Sequence, residues 1–415
     1  MNNSDQSLWP TTRREFLQMS TRGIGLLAFS QFAPSFLVQS TLAAAPAPER
    51  DRSILVLVQL AGGNDGLNTV IPFEDADYFR LRPTLGLKKA EALRLSALQG
   101  LHPSCTGLYQ LFNDGQLGVV QNVGYPNPNR SHFRSSEIWE TGSDSGQFLG
   151  SGWLGRFMDN ACAGAPASED PAAVHLTSEL PQSFTADQPH STFGIRAEAR
   201  GDRGNESVKL LERLLGQTDH DNGNEGFLKH TLMDALVTEK RVQWVLANYR
   251  PEAPYPKTPF ATSLRQIAGL IAAGLSTRVY FVSLSGFDTH SNQPRQHANL
   301  LQTLSEGLVA FQGDLKAHRL DQQVTTMTFS EFGRRPSEND SRGTDHGTAT
   351  PLFVMGAGVK GGLHGIAPSL RLRPNEDLAF TTDFRDVYAT VLDRWLGCPS
   401  PAVLGRTFTS LPLFG

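Results

Sequence analysis

The sequence predicts an α/β protein: a doubly wound, mostly parallel sheet with helices on both faces and one helical insertion. Two observations lead there. Short, continuous apolar runs bounded by glycine recur along the chain, as strands buried on both faces require. Segments of helical periodicity separate them, and strand alternating with helix is the pattern of a doubly wound sheet. The 415 residues are 39% hydrophobic and 19% charged, enough apolar material for a sizeable core and incompatible with wholesale disorder.

The chain opens with an address. Thr12-Arg13-Arg14-Glu15-Phe16-Leu17 precedes a mildly apolar run from Gly23 to Leu42 and the small residues Ala43-Ala44-Ala45. Paired arginines, a modest apolar stretch and an A-x-A cleavage site are the parts of a twin-arginine export signal. Ser30, Gln31, Pro34, Ser35, Gln39 and Ser40 make the run too polar for a stable membrane anchor. Residues 1–45 are therefore expected to be removed, leaving a periplasmic domain over 46–415. That removal takes three arginines and two acidic residues from a chain of net charge −4, leaving −5. A nucleic-acid partner held by a broad basic surface is excluded on that balance. Three well-separated cysteines, Cys105, Cys162 and Cys398, form neither a disulfide framework nor a zinc knuckle.

The first strand is expected at Ser53–Leu60, ending in Ala61-Gly62-Gly63-Asn64-Asp65-Gly66. Others follow at Leu117–Asn122, Ala173–Leu176, Thr277–Leu284, Val324–Phe329 and Pro351–Met355. Ser291 would cap a helix with Pro294 in its first turn and Leu300, Leu304, Leu308, Phe311 and Leu315 in one stripe. A last helix is expected over Asp383–Leu396, with Phe384, Val387, Val391 and Trp395 inward. The polar, glycine-rich stretch from 197, followed by helical signal from Phe227 to Tyr249, reads as a helical insertion over about 197–260.

Ligands bind at the carboxyl ends of strands in such a sheet, and three strand ends carry metal-type side chains. Asp65 follows the first strand, Asp288 and His290 the strand ending at Leu284, and Glu331 the strand ending at Phe329, with Asp345-His346 just beyond. Two carboxylates about 4 Å apart repel by roughly 4 kcal/mol at an effective dielectric near 20, so their convergence would call for a cation. Histidines with carboxylates suit zinc, manganese or iron, and calcium less. Asp65 also fits as a plain turn residue, and His297 as a solvated one. Ser131, in Arg130-Ser131-His132-Phe133-Arg134, sits where a helix starts. It reads either as the N-cap or as a nucleophile placed where backbone N–H groups favour an anion. Arg130 or Arg134 would hold an oxyanion. The chain has no Gly-x-Ser-x-Gly elbow and no phosphate loop.

These residues resemble the bacterial family called domain of unknown function 1501, within the alkaline phosphatase and sulfatase superfamily. The resemblance is carried by Leu60-Ala61-Gly62-Gly63-Asn64-Asp65-Gly66-Leu67-Asn68, by Arg130-Ser131-His132-Phe133 running to Trp139-Glu140-Thr141-Gly142, and by Gly286-Phe287-Asp288-Thr289-His290. Ser330-Glu331-Phe332-Gly333-Arg334-Arg335 and Thr344-Asp345-His346-Gly347 complete it. It implies an alkaline phosphatase-like fold and one or two divalent metals flanking a nucleophile at Ser131. The implied ligands are Asp65, Asp288, His290, Glu331, Asp345, His346 and the later His364, with Arg130, Asn64 and His132 on the substrate. Asp288 and His290 are separated by one residue where the superfamily usually has three, and no Cys-x-Pro-x-Arg is present. The activity implied is metal-dependent hydrolysis of a small or envelope-derived anionic ester of phosphate or sulfate. The alternative is a periplasmic binding or envelope-assembly protein that keeps the fold without turnover.

Overall fold

A computed structural model describes residues 52–161, 170–195 and 238–415. The expected export signal, Cys162 and most of the expected insertion lie outside them. Ala47–Ala197 with Tyr249–Gly415 makes one compact unit, and the helical residues 238–248 belong to a second.

The nine-stranded sheet of the first unit is built from β1 (Ile54–Ala61), β2 (Leu117–Gly124), β3 (Ala173–Leu176), β4 (Thr192–Gly194), β5 (Val279–Ser285), β6 (Val324–Phe329), β7 (Thr350–Met355), β8 (Gly362–His364) and β9 (Thr382–Asp383). The order is β8-β2-β7-β6-β1-β5-β3-β4, with β9 also on β2. β1 is central, parallel to β5 with Leu57 opposite Phe281, and parallel to β6 with Leu57 opposite Met327. Its residues from Ile54 to Val58 are all buried, which explains the unbroken apolar run: a strand covered on both faces has no solvent side to mark with polar residues. The α/β class stands, and the expected strands lie within two residues of the observed ones. One direction differs: β7 is antiparallel to both neighbours, β2 and β6.

Helices cover both faces. On one lie α3 (His132–Thr141), α4 (Trp153–Ala161), α7 (Phe384–Val391) and α8 (Ser400–Leu404). Trp139, Trp153, Phe384 and Tyr388 from these helices pack with Leu55, Leu57, Phe281 and Phe329 of the sheet. On the other, α6 (Gln293–Ala317) packs against α2 (Thr106–Asn113) and α5 (Pro259–Ala272). The cap of α6 is Asn292, in a left-handed conformation at φ 48°, one residue later than expected. Its stripe buries Leu301, Leu304, Leu308, Phe311 and Leu315. The last helix is shorter than expected: α7 ends at Val391 and a π-turn carries the chain through Leu392–Leu396. A satellite core of Leu67, Ile71, Phe73, Tyr78, Ala349, Leu370 and Leu378 lies beside a small three-stranded sheet. Among the described residues no helix is long and apolar enough to cross a membrane.

Candidate functional site

The carboxyl ends of β1, β2, β5 and β6 meet along one edge, and because β7 runs the other way, its amino end joins them. This is why Asp345 and His346, which precede a strand, share an edge with Asp288 and Glu331, which follow strands. The turn after β1 is compact. Gly62 has φ 119°, and a Cβ there would lie 2.4 Å from the Asp288 nitrogen. The Phe287 N–H donates to the Ala61 carbonyl at 3.1 Å, fastening the β1 and β5 loops together.

On this edge Asp288 is surrounded by imidazoles. Nε2 of His290 and Nε2 of His346 each lie 3.0 Å from its Oδ1, and Nε2 of His132 lies 3.6 Å from its Oδ2. The two nitrogens of His290 and His346 are 2.9 Å apart. Potential ligand atoms of His132, Asp288 and His346 all lie within 4.8 Å of one another. Phe332, buried beneath them, touches the rings of His132 and His346.

The other nitrogen of each ring decides what these atoms are. His346 Nδ1 is 2.9 Å from the Arg130 carbonyl, His132 Nδ1 is 2.8 Å from Glu331 Oε1, and His290 Nδ1 is 3.2 Å from Asp345 Oδ1. A carbonyl or carboxylate only accepts, so each Nδ1 carries a hydrogen and donates it. In the neutral ring each Nε2 is then a bare lone pair, and three lone pairs face one carboxylate. That arrangement is repulsive unless protons or a cation lie between. Three imidazole nitrogens and a carboxylate oxygen are a donor set that suits zinc, manganese or iron, so the residues fit the metal. Histidine ligands fixed through the far nitrogen by a carboxylate or backbone carbonyl are a common feature of metal sites.

Charge in the site follows the same contacts. Burial pushes the Asp288 carboxyl up, but the hydrogen bond and positive charge of Arg334, with the neighbouring imidazoles, outweigh it and bring it down to about 2. The hydrogen bond to Glu331 raises His132 above the ordinary imidazole value. Asp345 is lowered, first by its hydrogen bond from Asn339. Glu331 is buried, and its Oε1 also accepts from the Gly62 N–H at 2.8 Å. It therefore stands behind His132, on the nitrogen turned away from Asp288.

The remaining expected residues lie elsewhere or play other parts. Asp65 is fully buried, bound by Arg82 Nη1 at 2.6 Å and by Gln293, so a protein cation occupies the place where a metal was expected. Burial raises its carboxyl, and Arg82 more than reverses that. Asn64 is also fully buried, with its Oδ1 accepting from Thr69 Oγ1 at 3.0 Å and from His297 Nε2 at 3.1 Å. It faces the interior and not a substrate. His364 directs Nε2 to the Lys360 carbonyl at 2.8 Å from within β8. Arg130 pairs with Asp377, so its carbonyl and not its guanidinium meets the cluster. Ser131 occupies the N-cap of α3, exposed, and its hydroxyl makes no capping hydrogen bond. It lies between Arg130, which holds His346, and His132.

Two side chains escaped the sequence reading. Arg334 is 1% exposed and donates to the carbonyls of Gly63 at 2.8 Å, Thr344 at 2.8 Å and Phe287 at 3.0 Å, as well as to Asp288. Its signal was its place, five residues beyond the end of β6 at Phe329. His297, expected to be solvated, is 2% exposed.

Fold and site together define an α/β protein whose sheet edge gathers three imidazoles around a carboxylate. The chain belongs to the family described as "Protein of unknown function (DUF1501)", whose model matches residues 52–399. No curated protein matches it. Among solved structures it is similar to Ps i-CgsB in complex with k-i-k-neocarrahexaose, at 10% identity and TM-score 0.38, over 86% of this chain and 73% of that one. It is similar to the C-terminal periplasmic domain of EcEptC from Escherichia coli in complex with Zn, at 11% identity and TM-score 0.36, over 75% of this chain and 77% of that one. A third is a 2-O GAG sulfatase, at 10% identity and TM-score 0.36, over 86% of this chain and 75% of that one.

Proposed function

We propose that the protein is a periplasmic, metal-dependent hydrolase of phosphate or sulfate esters, exported by the twin-arginine route. The observation that carries this reading is the convergence of three Nε2 lone pairs on Asp288. His132, Asp288, His290 and His346 are the proposed ligands. Glu331, Asp345 and the Arg130 carbonyl hold the three rings by their Nδ1 hydrogens. Asp65 is left out of the ligand set because it is fully buried with its Oδ2 held by Arg82 and Gln293, and His364 because its Nε2 meets the Lys360 carbonyl.

A bound divalent ion would stabilise charge on an ester oxyanion and lower the pKa of a bound water. The chain's own groups do the rest. Ser131 stands at the start of α3, where free backbone N–H groups favour an anion, and its hydroxyl is not consumed in capping. It is the proposed nucleophile: Oγ bonds to phosphorus or sulfur, the ester oxygen leaves as an alcohol, and water then cleaves the seryl ester to regenerate the hydroxyl. Arg334, buried and held by four carbonyls, fixes Asp288 and adds positive charge beneath the site.

The test is metal analysis of the purified exported protein, with Asp288→Ala and His346→Ala alongside, followed by a screen of phosphate and sulfate monoesters. The expected result is about one metal per chain, lost in both variants, and turnover that Ser131→Ala lowers by about 10³-fold or more. Failure to hold metal after reconstitution would overturn the ligand assignment. Stoichiometric metal without turnover of any ester would favour a binding or envelope-assembly role.

A further inference from the structure

One carboxylate near the histidine-lined edge has no part in the proposed ligand set. The side chain of Asp377 is 9% exposed and forms an ion pair with the Arg130 guanidinium. Its Oδ1 also lies 3.8 Å from Nε of Arg335. Each arginine is tied through its backbone to the Asp345-His346 pair. The Arg130 carbonyl accepts from His346 Nδ1 at 2.9 Å, and the Arg335 N–H donates to the Asp345 carbonyl at 2.9 Å. Asp377 thus joins two chain segments that both contact this pair.

Secondary structure does not fix the Arg130 carbonyl. Residues 126–131 belong to neither helix nor strand, and α3 begins at His132. Side chains hold this stretch instead. Asn129 Oδ1 accepts from the Ser131 N–H at 2.8 Å, which sets the plane of the Arg130–Ser131 peptide. The ion pair with Asp377 sets the place of Arg130 itself. Asp377 is in turn well anchored. The Leu378 carbonyl accepts from Thr348 Oγ1 at 2.6 Å, and the Ala379 carbonyl from Asn122 Nδ2 at 2.7 Å. The Thr381 N–H donates to the Asn122 carbonyl at 3.0 Å. These contacts pin the segment to the end of β2 and to the approach to β7, the edge that carries the histidines.

From these contacts we infer that Asp377 is a positioning residue for His346, acting through Arg130. Its carboxylate holds the Arg130 side chain, and the Arg130 carbonyl keeps the hydrogen on His346 Nδ1. Nε2 then stays a lone pair facing Asp288. A buried carboxylate that loses its cation is left uncompensated, so the ion pair stays closed and the carbonyl stays in place. The consequence for metal binding rests on the proposed ligand set. The consequence for the His346 tautomer does not.

Two measurements test this on the wild type, Asp377→Leu, Arg130→Gln and the double variant. Leucine has a volume close to that of aspartate and accepts nothing. Long-range proton–nitrogen NMR of metal-free protein, recorded where the rings are neutral, reports which nitrogen of His346 carries the hydrogen. The wild type should hold it on Nδ1, and each single variant should shift it toward Nε2. Cobalt(II) affinity, measured by competition with a chelator, should fall by about tenfold in each single variant. The double variant should bind no more weakly than either, because both substitutions break one contact. A His346 tautomer unchanged in Asp377→Leu would overturn the inference, and so would additive losses of affinity in the double variant. A wild type that binds no cobalt, yet shows the tautomer shift in its variants, would support the positioning role and sink the ligand assignment alone.

Discussion

At the scale of single residues, the site is a matter of which nitrogen of each ring holds a hydrogen. Glu331 shows this best, since it accepts from His132 Nδ1 at 2.8 Å and leaves Nε2 facing Asp288. Glu331→Gln keeps the shape and weakens the acceptor. Metal affinity, measured by competition with a chelator, should fall by about tenfold or more. In metal-free protein the His132 pKa, read by NMR, should drop toward the ordinary imidazole value, because Glu331 is the main cause of its elevation. A variant with both quantities unchanged would remove Glu331 from its positioning role. The types of residue in the cluster were legible from their places beside strand ends. What decides Asp65 was not, because its partner Arg82 arrives from seventeen positions along the chain, and nothing in Gly63-Asn64-Asp65-Gly66 announces an arginine. His132 was expected on the substrate, and its place facing Asp288 was not readable, since its ring is aimed by Glu331, 199 positions away.

At the scale of elements, the apolar runs declared the strands and left their directions open. An isolated run such as Thr350–Met355 is equally apolar whichever way it runs, so the antiparallel β7 was invisible until its neighbours were known. Yet that reversal brings Asp345 and His346 to the same edge as Asp288. The turn after β1 is the other device at this scale, because Gly62 lets the β1 backbone touch the β5 loop. Gly62→Ala would place a Cβ 2.4 Å from the Asp288 nitrogen at φ 119°. The Cβ cannot be housed without moving Asp288. Destabilisation of about 1–3 kcal/mol is expected from the strained conformation, together with loss of metal even from the folded fraction. Urea unfolding alongside metal analysis checks this, and a stable variant with full metal content would show that the loop contact does not position Asp288.

For the whole molecule, the consequence of this architecture is a polar interior behind the histidine-lined edge, and it sets the acid limit of the fold. His297 and His102 are buried at 2% and 6% exposure, with their rings in edge-to-face contact. Burial holds His297 down to about 3 and His102 to about 4, each opposed only in part by Asp65. Both are therefore neutral in the folded protein where the unfolded chain would be protonated. For a base depressed on folding, the unfolded state binds more protons below its own pKa, near 6.5, so stability is complete above that value and falls as the pH drops toward the folded pKa. Each such histidine contributes at most about 1.4 kcal/mol per pH unit across that window. Asp65, depressed by Arg82, acts in the same direction at lower pH, where its carboxylate begins to take up a proton. His132, raised by Glu331, acts oppositely, adding stability at low pH that is lost as the pH rises through its folded value. His297→Gln separates these contributions, because glutamine can still donate to Asn64 Oδ1 and does not titrate. Measured by urea unfolding at pH steps from 7 to 4.5, the wild type should lose stability more steeply than the variant, the difference approaching about 1.4 kcal/mol per pH unit. Parallel slopes would mean that His297 is charged or solvated in the fold, and the acid limit would then lie with the histidines around Asp288.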